Sequence, residues 1–546
     1  MPTVQACPAC RTGVLTRRGD PLCLTCMKAA REMPSQPSWL FDSPLLRQAL
    51  AAVNLSAVPA IVRAACGLSQ RDLAAMAGWN QATLSHYERG VRDGMYDIRT
   101  ALGFADAVGM PRAALLPLIF ADVDADLAVG AGNRTSIEAL SKRGFGGLAV
   151  ASSLSVAQLA VSAPCRVTSS HIRYWRACAN ALYARDQFVG GTVLLPLALQ
   201  QWQRVRLAAW NSNGKEAGGQ LLAAAGDMAL SSGWIALDAG CLPLAQPLYE
   251  EARELAANAA DAVLTVHVLT SQSMLYAEMA HTSPGRESAR QALRLAFQAQ
   301  EEGRYIPMPR LHALIALRHA SAASLLGDKV AFRAAIAQAR RELDRGPRND
   351  KPPEWLRFVS HAEITGVEAR GYLNLGDASR SALLYRQVLA SGLSLRKRVS
   401  YGAGLADALL KQGAHQEAVA TAMDVLAILE DSSVTSMRCL NRLRLVRQAA
   451  GSIPQEQEFR DRFDAVEQIL ATSRALPSDD PLETQTGVPA LYRQEDECAV
   501  QDRRRYVTTT KGCNGGWFPA VGDRYNPTAS GKNVRCLSRR QRQLRC

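Results

Sequence analysis

Four glycines, Gly240, Gly327, Gly376 and Gly413, each stand between two segments of helical periodicity, and this punctuation constrains the chain more than any other feature. In GWIALDAGCLPLAQPLYEEARELA (233–256), Gly233 occupies a place where two helices approach closely, and Ala245, Tyr249 and Ala252 follow at the four-and-three spacing of a second helix. The same frame of small and bulky residues returns with Ala320, Phe332, Ile336 and Ala339. It returns again with Ala369, Tyr372, Ser381, Tyr385 and Val388, and with Ala406, Leu409, Ala418, Ala422 and Val425. A recurrence of this kind predicts paired helices that bury their faces only by stacking, so residues 166–475 are expected to form an α-solenoid. A stack of helical hairpins makes a groove, and Tyr276, Arg304, Tyr305, Arg310, His312 and Arg318 are candidates to line it. The alternative places those six on a solvated outer face.

A second constraint is LSQRDLAAMAGWNQATLSHYERG, residues 68–90. Leu68, Leu73, Ala74 and Ala77 share one face of a first helix. Gly78 permits a tight turn, because a residue without Cβ reaches positive φ cheaply. In a second helix Leu84 and Tyr87 point inward and leave Gln81, Ala82, Ser85 and His86 outside, and Gly90 closes it. A short helix with small polar residues on its outer face suits the DNA major groove, where amides and hydroxyls read base edges. Gln81 can meet an adenine edge at two points, Ser85 can donate or accept, and His86 can donate to a guanine acceptor. The bland alternative is a two-helix piece of an ordinary helical domain. Around this segment, helical spacing begins near Pro44 with Leu45, Leu46, Ala49, Leu50 and Val53 and continues through Val58, Ile61 and Val62. Ile98, Leu102, Ala105 and Val108 predict another helix ended by Gly109, and Pro111 starts a last one with Ala114, Leu115 and Leu118.

The 68–90 segment resembles the helix-turn-helix of the Cro and phage-repressor (Xre-type) regulators in Gln70, the Gly78 turn and the Glu88-x-Gly90 ending. Over most of residues 1–475 the chain resembles the actinobacterial branch that carries an N-terminal cysteine ribbon and tetratricopeptide-like repeats. The resemblance implies a helix-turn-helix domain of about five helices over 41–120 that binds double-stranded DNA. It assigns base reading to Gln81, Ala82, Ser85 and His86. Gln70 would hold a phosphate, and Asn80 and Arg89 would face the backbone. Trp79 departs from the small polar residue usual at the start of the recognition helix.

Cys7-x2-Cys10 and Cys23-x2-Cys26, twelve residues apart, have the spacing of two knuckles closing one tetrahedral site. Residues 1–33 therefore read as a small zinc ribbon holding one structural Zn2+ per chain, with no open position for catalysis; a redox dithiol pair is the alternative. Cys66, Cys165, Cys178, Cys241 and Cys439 lie among apolar helical residues and read as small core side chains.

At 546 residues the chain is too long for one core, and its net charge of +13 favours anionic partners. The excess is not concentrated near the helix-turn-helix: between 60 and 120, Arg63, Arg71, Arg89, Arg92, Arg99 and Arg112 are nearly balanced by Asp72, Glu88, Asp93, Asp97 and Asp106. One copy should bind DNA modestly, which points to a homodimer. No GxxxxGK[ST], HExxH or GxSxG motif occurs; GAGNRTS (130–136) lacks the lysine, and His171, His267 and His361 stand alone, so no enzyme is expected. Residues 121–165 read as a linker, including the stretch 142–163, whose serines and Gln158 interrupt it too often for a membrane span. Residues 476–546 lose all periodicity and read as a disordered basic tail or a nonessential extension. The polar start lacks a signal peptide, so a cytoplasmic, nucleoid-associated protein is expected. The sum is a mainly α DNA-binding transcription regulator whose repeat region dimerises or senses a peptide, protein or small-molecule effector. The alternative is a tetratricopeptide-like interaction scaffold with vestigial DNA binding.

Overall fold

The computed structural model describes residues 5–17, 19–34, 37–118, 167–211, 218–282, 285–347, 351–431, 434–451 and 454–474. The expected linker 121–165, Cys165 and the basic tail 476–546 lie outside the described residues. What is described is helical, with one isolated antiparallel bridge, Ala6 to Val14. The N-terminal ribbon therefore reduces to a single bridged turn followed by a short helix, α1 (Leu24–Ala29). Among the described residues no helix is long and apolar enough to cross a membrane.

The head that follows contains α2 (Pro44–Ala51), α3 (Ala57–Cys66), α4 (Gln70–Met76), α5 (Gln81–Glu88) and α6 (Ile98–Ala107). Local chemistry fixes several of their boundaries. Ser43 accepts from the Leu46 N–H, and Pro44 fills the first helical position, where no N–H is needed. Gly67, at φ 67°, ends α3 in the left-handed region. Three expectations are corrected here. Val53 does not extend the face of α2, because the helix stops at Ala51 and Val53 turns left-handed (φ 53°) and exposed. Ile98 sits exposed at the first position after the Asp97 cap, so the inward face of α6 is Ala101, Phe104 and Ala105, continued by Val108. The segment after Pro111 is a 3-10 helix, Arg112–Leu118, with Pro117 inside it, where a missing N–H does not favour a regular α-helix.

The array runs through α7 (Ser169–Val189), α8 (Gly191–Asn211), α9 (Gly218–Asp238), α10 (Leu242–Asn258), α11 (Ala262–Thr282) and α12 (Glu287–Gly303). It continues through α13 (Pro309–Leu326), α14 (Lys329–Arg345), α15 (His361–Asn374), α16 (Ala378–Leu389), α17 (Leu395–Lys411) and α18 (His415–Glu430). Two short helices, α19 (Met437–Asn441) and α20 (Arg444–Ala449), precede α21 (Pro454–Arg474). Consecutive helices pack on one another in the manner of repeats. All four punctuating glycines lie between the helices they were expected to separate, at φ 75° to 83°. The bulky residues of the recurring frame are buried, and several lie directly on glycines. A Cβ on Gly233 would stand 2.6 Å from the Tyr249 ring, one on Gly371 2.1 Å from Phe332, and one on Gly404 2.4 Å from Tyr385. Aromatic side chains thus fill the space that the missing Cβ atoms leave, which is what lets neighbouring helices approach.

The two ends of the array meet. The Thr435 N–H donates to the Val189 carbonyl at 2.7 Å, and the Thr192 N–H donates to the Thr435 carbonyl at 2.9 Å. Inside this closure Arg396 bridges two buried carboxylates, Asp186 at 2.8 Å and Asp238 at 3.0 Å. The expected groove is consequently a partly open cavity, and of its six expected lining residues only Arg318 borders it. Tyr305 is exposed, with Arg304 over its ring at 4.6 Å; Arg310 donates to the Val359 carbonyl; His312 Nε2 is bonded to the Ile306 carbonyl; Tyr276 packs into the apolar interior.

Candidate nucleic-acid interface

The helix-turn-helix is set by a series of local caps. Ser69 Oγ accepts from the Asp72 N–H and the Asp72 carboxylate accepts from the Ser69 N–H, a closed capping box that starts α4. Leu68 and Leu73, before and after the box, are both buried at the positions of a hydrophobic staple. Gly78 takes φ 71° in the turn. Asn80 then caps α5, its Oδ1 accepting from the Thr83 N–H at 2.7 Å.

On α5 Leu84 is fully buried, and Gln81 and Ala82 are exposed. Ser85 and His86 are half-buried on the same side, and Arg89 is exposed one turn on, its Nε donating to the Ser85 carbonyl at 3.1 Å. Ala82, Ser85, His86 and Arg89 follow the i, i+3, i+4, i+7 spacing of a single helix face. His86 Nδ1 is buried without a partner, which leaves Nε2 as the nitrogen able to reach outward. Asn80 is exposed at the helix start. Trp79 has turned away from this face: its ring meets Tyr87 edge-on at 5.0 Å and stacks on Phe104 at 5.7 Å, so the unusual residue is a packing wedge between α5 and α6.

Gln70 occupies a place the sequence did not disclose. Its Nε2 donates at 2.6 Å to Glu88, and Glu88 is held in a buried two-point ion pair with Arg63, at 2.8 and 3.1 Å. Arg63 also donates to the carbonyls of Gly19 and Leu68. One guanidinium thus ties together the cysteine segment, α3, the residue that precedes the α4 cap and the end of α5. In the sequence Arg63 stands only in a balance of charges, and Glu88 there and in the Glu88-x-Gly90 ending. The signal that could have found them is an arginine inside the wholly apolar run of α3.

The cysteine centre packs against this assembly, with Asn54 donating to the Pro8 carbonyl and Arg31 to the Ala64 carbonyl. The Sγ atoms of Cys7, Cys10, Cys23 and Cys26 lie within 4.8 Å of one another, and Cys10 and Cys23 are 3.9 Å apart. A tetrahedron of thiolates about 2.3 Å from a zinc ion has edges of about 3.8 Å, so the set fits a metal ion. Backbone N–H groups of Gly13 and Cys23 point at the Cys10 and Cys7 sulfurs, at 3.2 and 3.4 Å. A Cβ on Gly13 would come within 2.7 Å of the Cys23 sulfur, so this position admits only glycine. A hydrogen bond from Thr12 draws the Cys10 thiol down to about 6, while burial pushes Cys7 and Cys26 up. Of the remaining cysteines, Cys66, Cys178 and Cys439 are buried and Cys241 is half-buried.

The head is bonded to the array through α7 and α8. Ser170 Oγ donates to Asp72 at 3.0 Å and Arg173 pairs with the same carboxylate. Burial pushes the Asp72 carboxyl up, and Arg173, Ser69 and Ser170 more than offset that, holding it below its ordinary value. The Tyr174 hydroxyl donates to the Val108 carbonyl, and Arg204 donates to the Asp106 carbonyl at 2.9 Å, capping the end of α6. The capping-box pattern Ser-x-x-Asp was visible in the sequence, but not that its carboxylate serves a second helix 98 residues away.

The family described as Helix-turn-helix matches residues 60–115, the span from α3 through α6. No curated protein matches the chain. The match supports, at the level of the family, a DNA-binding transcription regulator.

Proposed function

We propose that the protein is a sequence-specific transcription regulator that binds double-stranded DNA as a homodimer and answers to an effector held by its helical array. The observation that carries the reading is the outer side of α5, where Gln81 and Ala82 are exposed and Ser85 and His86 half-buried, opposite the fully buried Leu84. These side chains suit base edges, and Gln70, Asn80 and Arg89 are the candidates for phosphate contacts that set the helix in register. Gln70 would have to exchange or share its bond to Glu88 to do so. The four cysteines hold one structural zinc ion, which fixes residues 1–33 against the head over 41–120. The array over 166–475 is tetratricopeptide-like, of the kind found in actinobacterial regulators, and the protein works in the cytoplasm on nucleoid DNA.

Effector control has a physical route in α7. Its first turns carry Ser170, Arg173 and Tyr174, bonded to the head, and its last turns carry Tyr183, Asp186 and Gln187, which border the cavity. Sixteen residues separate Ser170 from Asp186, about 24 Å of one rigid helix. A shift at one end is therefore delivered to the capping box of α4.

The test is binding to duplexes selected from genomic DNA. Gln81→Ala and His86→Ala should each cost about 1–3 kcal/mol on the selected operator and relax preference at one or two base pairs. Arg89→Ala should weaken all sequences alike and reduce the salt slope. The operator should contain two related half-sites about one helical turn, or a multiple of it, apart. Equal binding of selected and scrambled duplexes by wild type and variants would sink the regulator and favour the interaction scaffold.

A further inference from the structure

The partly open cavity within the array has a volume of about 160 Å³, room for about ten water-sized bodies. Six cationic side chains border it, and four carboxylates answer them: Asp186, Glu278 and Glu363 in the wall and Asp238 behind it. The pairing is unequal. Asp186 and Asp238 are taken by Arg396 and Arg438, at 2.8 to 3.0 Å. Glu278 is held by Arg442 at 2.8 Å, with Arg370 and Arg438 at 3.7 Å. Glu363 accepts from the Tyr401 hydroxyl at 2.8 Å and lies 3.6 Å from Lys397.

Arg318 is left over. Its side chain is more than nine-tenths buried, yet its partners are a backbone carbonyl, Thr270, at 3.0 Å through Nε and the Met274 sulfur at 3.5 Å through Nη1. Among the described residues no carboxylate lies within ion-pair reach of it, and its second terminal nitrogen has no partner. A buried guanidinium with no carboxylate in contact is costly, and burial draws its pKa down to about 10 although Glu363 and Glu278 act on it from a distance. The neighbouring histidines do not change the balance: burial holds His267 and His281 below their ordinary values, so both are neutral. Beside Arg318 stands an aromatic wall in which His267 stacks on Trp355 at 3.6 Å and meets Tyr183 at 5.5 Å. The Tyr183 hydroxyl is itself buried without a partner.

We infer that this cavity binds a small organic anion, a carboxylate or phosphate monoester on a flat apolar body, with the anionic group on Arg318 and the body against Tyr183, His267 and Trp355. The inference rests on the effector reading above and names the class of effector. An entering anion supplies the counter-charge that Arg318 lacks in contact, and a charge-assisted hydrogen bond in so buried a place is among the strong ones. The size of the space sets the scale of the ligand at roughly ten to fifteen non-hydrogen atoms.

Calorimetric titration of the full-length, metal-loaded protein tests it with matched probes: indole-3-acetate against indole-3-acetamide, and phenyl phosphate against inorganic phosphate. At least one aromatic anion should bind ten-fold or more tightly than its control, and Arg318→Gln should weaken it by a further ten-fold or more. If Arg318→Gln fails to fold, Arg318→Lys, which keeps the charge but not the planar fork, should still weaken the anion several-fold. Equal binding of acid and amide, no binding of either aromatic anion, or unchanged affinity in the Arg318 variants would overturn the assignment. Operator affinity measured with and without the probe separates the two readings. An anion that binds without altering DNA affinity upholds the site and ends the effector reading. A neutral compound that alters DNA affinity while no anion binds does the reverse.

Discussion

The head and the array are both helical, but they are specified in different ways. In the head three of the short helices start at polar side chains that act over three residues, Ser43 on Leu46, Ser69 on Asp72 and Asn80 on Thr83, and the link of Arg63 to Glu88 spans only 25. In the array the decisive polar contacts join residues far apart, such as Arg396 to Asp186, 210 positions away, and Thr435 to Val189, 246 away. Local caps leave the outward face of a helix free to meet another molecule. Long-range ion pairs turn charges inward, and so give the array a polar interior.

That contrast can be broken most severely at the cysteine centre. Structural zinc contributes folding free energy outright, on the order of 10 kcal/mol in isolated zinc modules. Metal analysis should find one zinc per chain, absent from a Cys7→Ser, Cys23→Ser double variant. Chelation should unfold residues 1–33 while far-ultraviolet circular dichroism of the array persists. Full zinc in the double variant, or loss of array helicity on chelation, would contradict the assignment.

The next largest effect belongs to the array. Arg396→Met leaves Asp186 and Asp238 buried with one guanidinium fewer, and should cost about 3–5 kcal/mol in denaturant unfolding. The two carboxyls differ in pH dependence: burial pushes Asp186 up in spite of Arg396, so it loses no stability in acid, whereas Asp238 does. Burial pushes the Asp238 carboxyl up, and Arg396 and Arg438 more than offset it, holding it at about 2 against an ordinary 3.8. A carboxyl lowered by folding contributes stability that is present above pH ~4 and lost as pH falls toward 2. In Arg396→Met that value should rise, so less stability is lost on acidification, and the deficit relative to wild type, read by denaturant unfolding, should be largest near neutral pH and narrow as pH falls toward ~3.

How much of this was legible follows from the same contrast. The glycine turns, the recurring aromatics and the helix-turn-helix could be read because each is a short pattern: Gly376 between two periodic runs, or Gln81 opposite Leu84. The closure at Thr435, the Arg63–Glu88–Gln70 link and the cationic cavity could not. Arg396, Arg438 and Arg442 occur among polar residues at spacings that also suit a solvated helix face, and only the tertiary fold turns them inward. Even Arg318, the one groove residue placed correctly, was grouped with five others that the closed array leaves elsewhere.

A smaller effect tests the glycine–aromatic frame. Gly371→Ala would set a Cβ 2.1 Å from the Phe332 ring, which is itself fully buried. Overpacking of this kind should cost about 1–3 kcal/mol. Phe332→Leu in the same chain should recover part of it, because the clash is with the ring alone. Additive losses in the double variant would mean that the ring and the glycine are not a unit.

The smallest change in stability probes the junction between head and array. Arg173 is half-exposed and Asp72 nearly buried, and an ion pair so placed contributes about 0–1 kcal/mol to folding. Arg173→Ala should therefore leave the unfolding midpoint almost where it was. It should also leave the operator affinity of the ligand-free protein close to wild type, since Ser69 still closes the box with Asp72 and starts α4. What should change is the ratio of operator affinities with and without a cavity ligand, because a ligand alters DNA binding only through contacts that differ between the two states. Combining Arg173→Ala with Ser170→Ala removes both side chains that α7 places on Asp72, and should bring that ratio close to one. If the double variant keeps the wild-type ratio, the signal does not pass through the capping box. The contacts of Tyr174 and Arg204 with the end of α6 then become the path to test, and the array would act on the packing behind the recognition helix, not on the helix that precedes it.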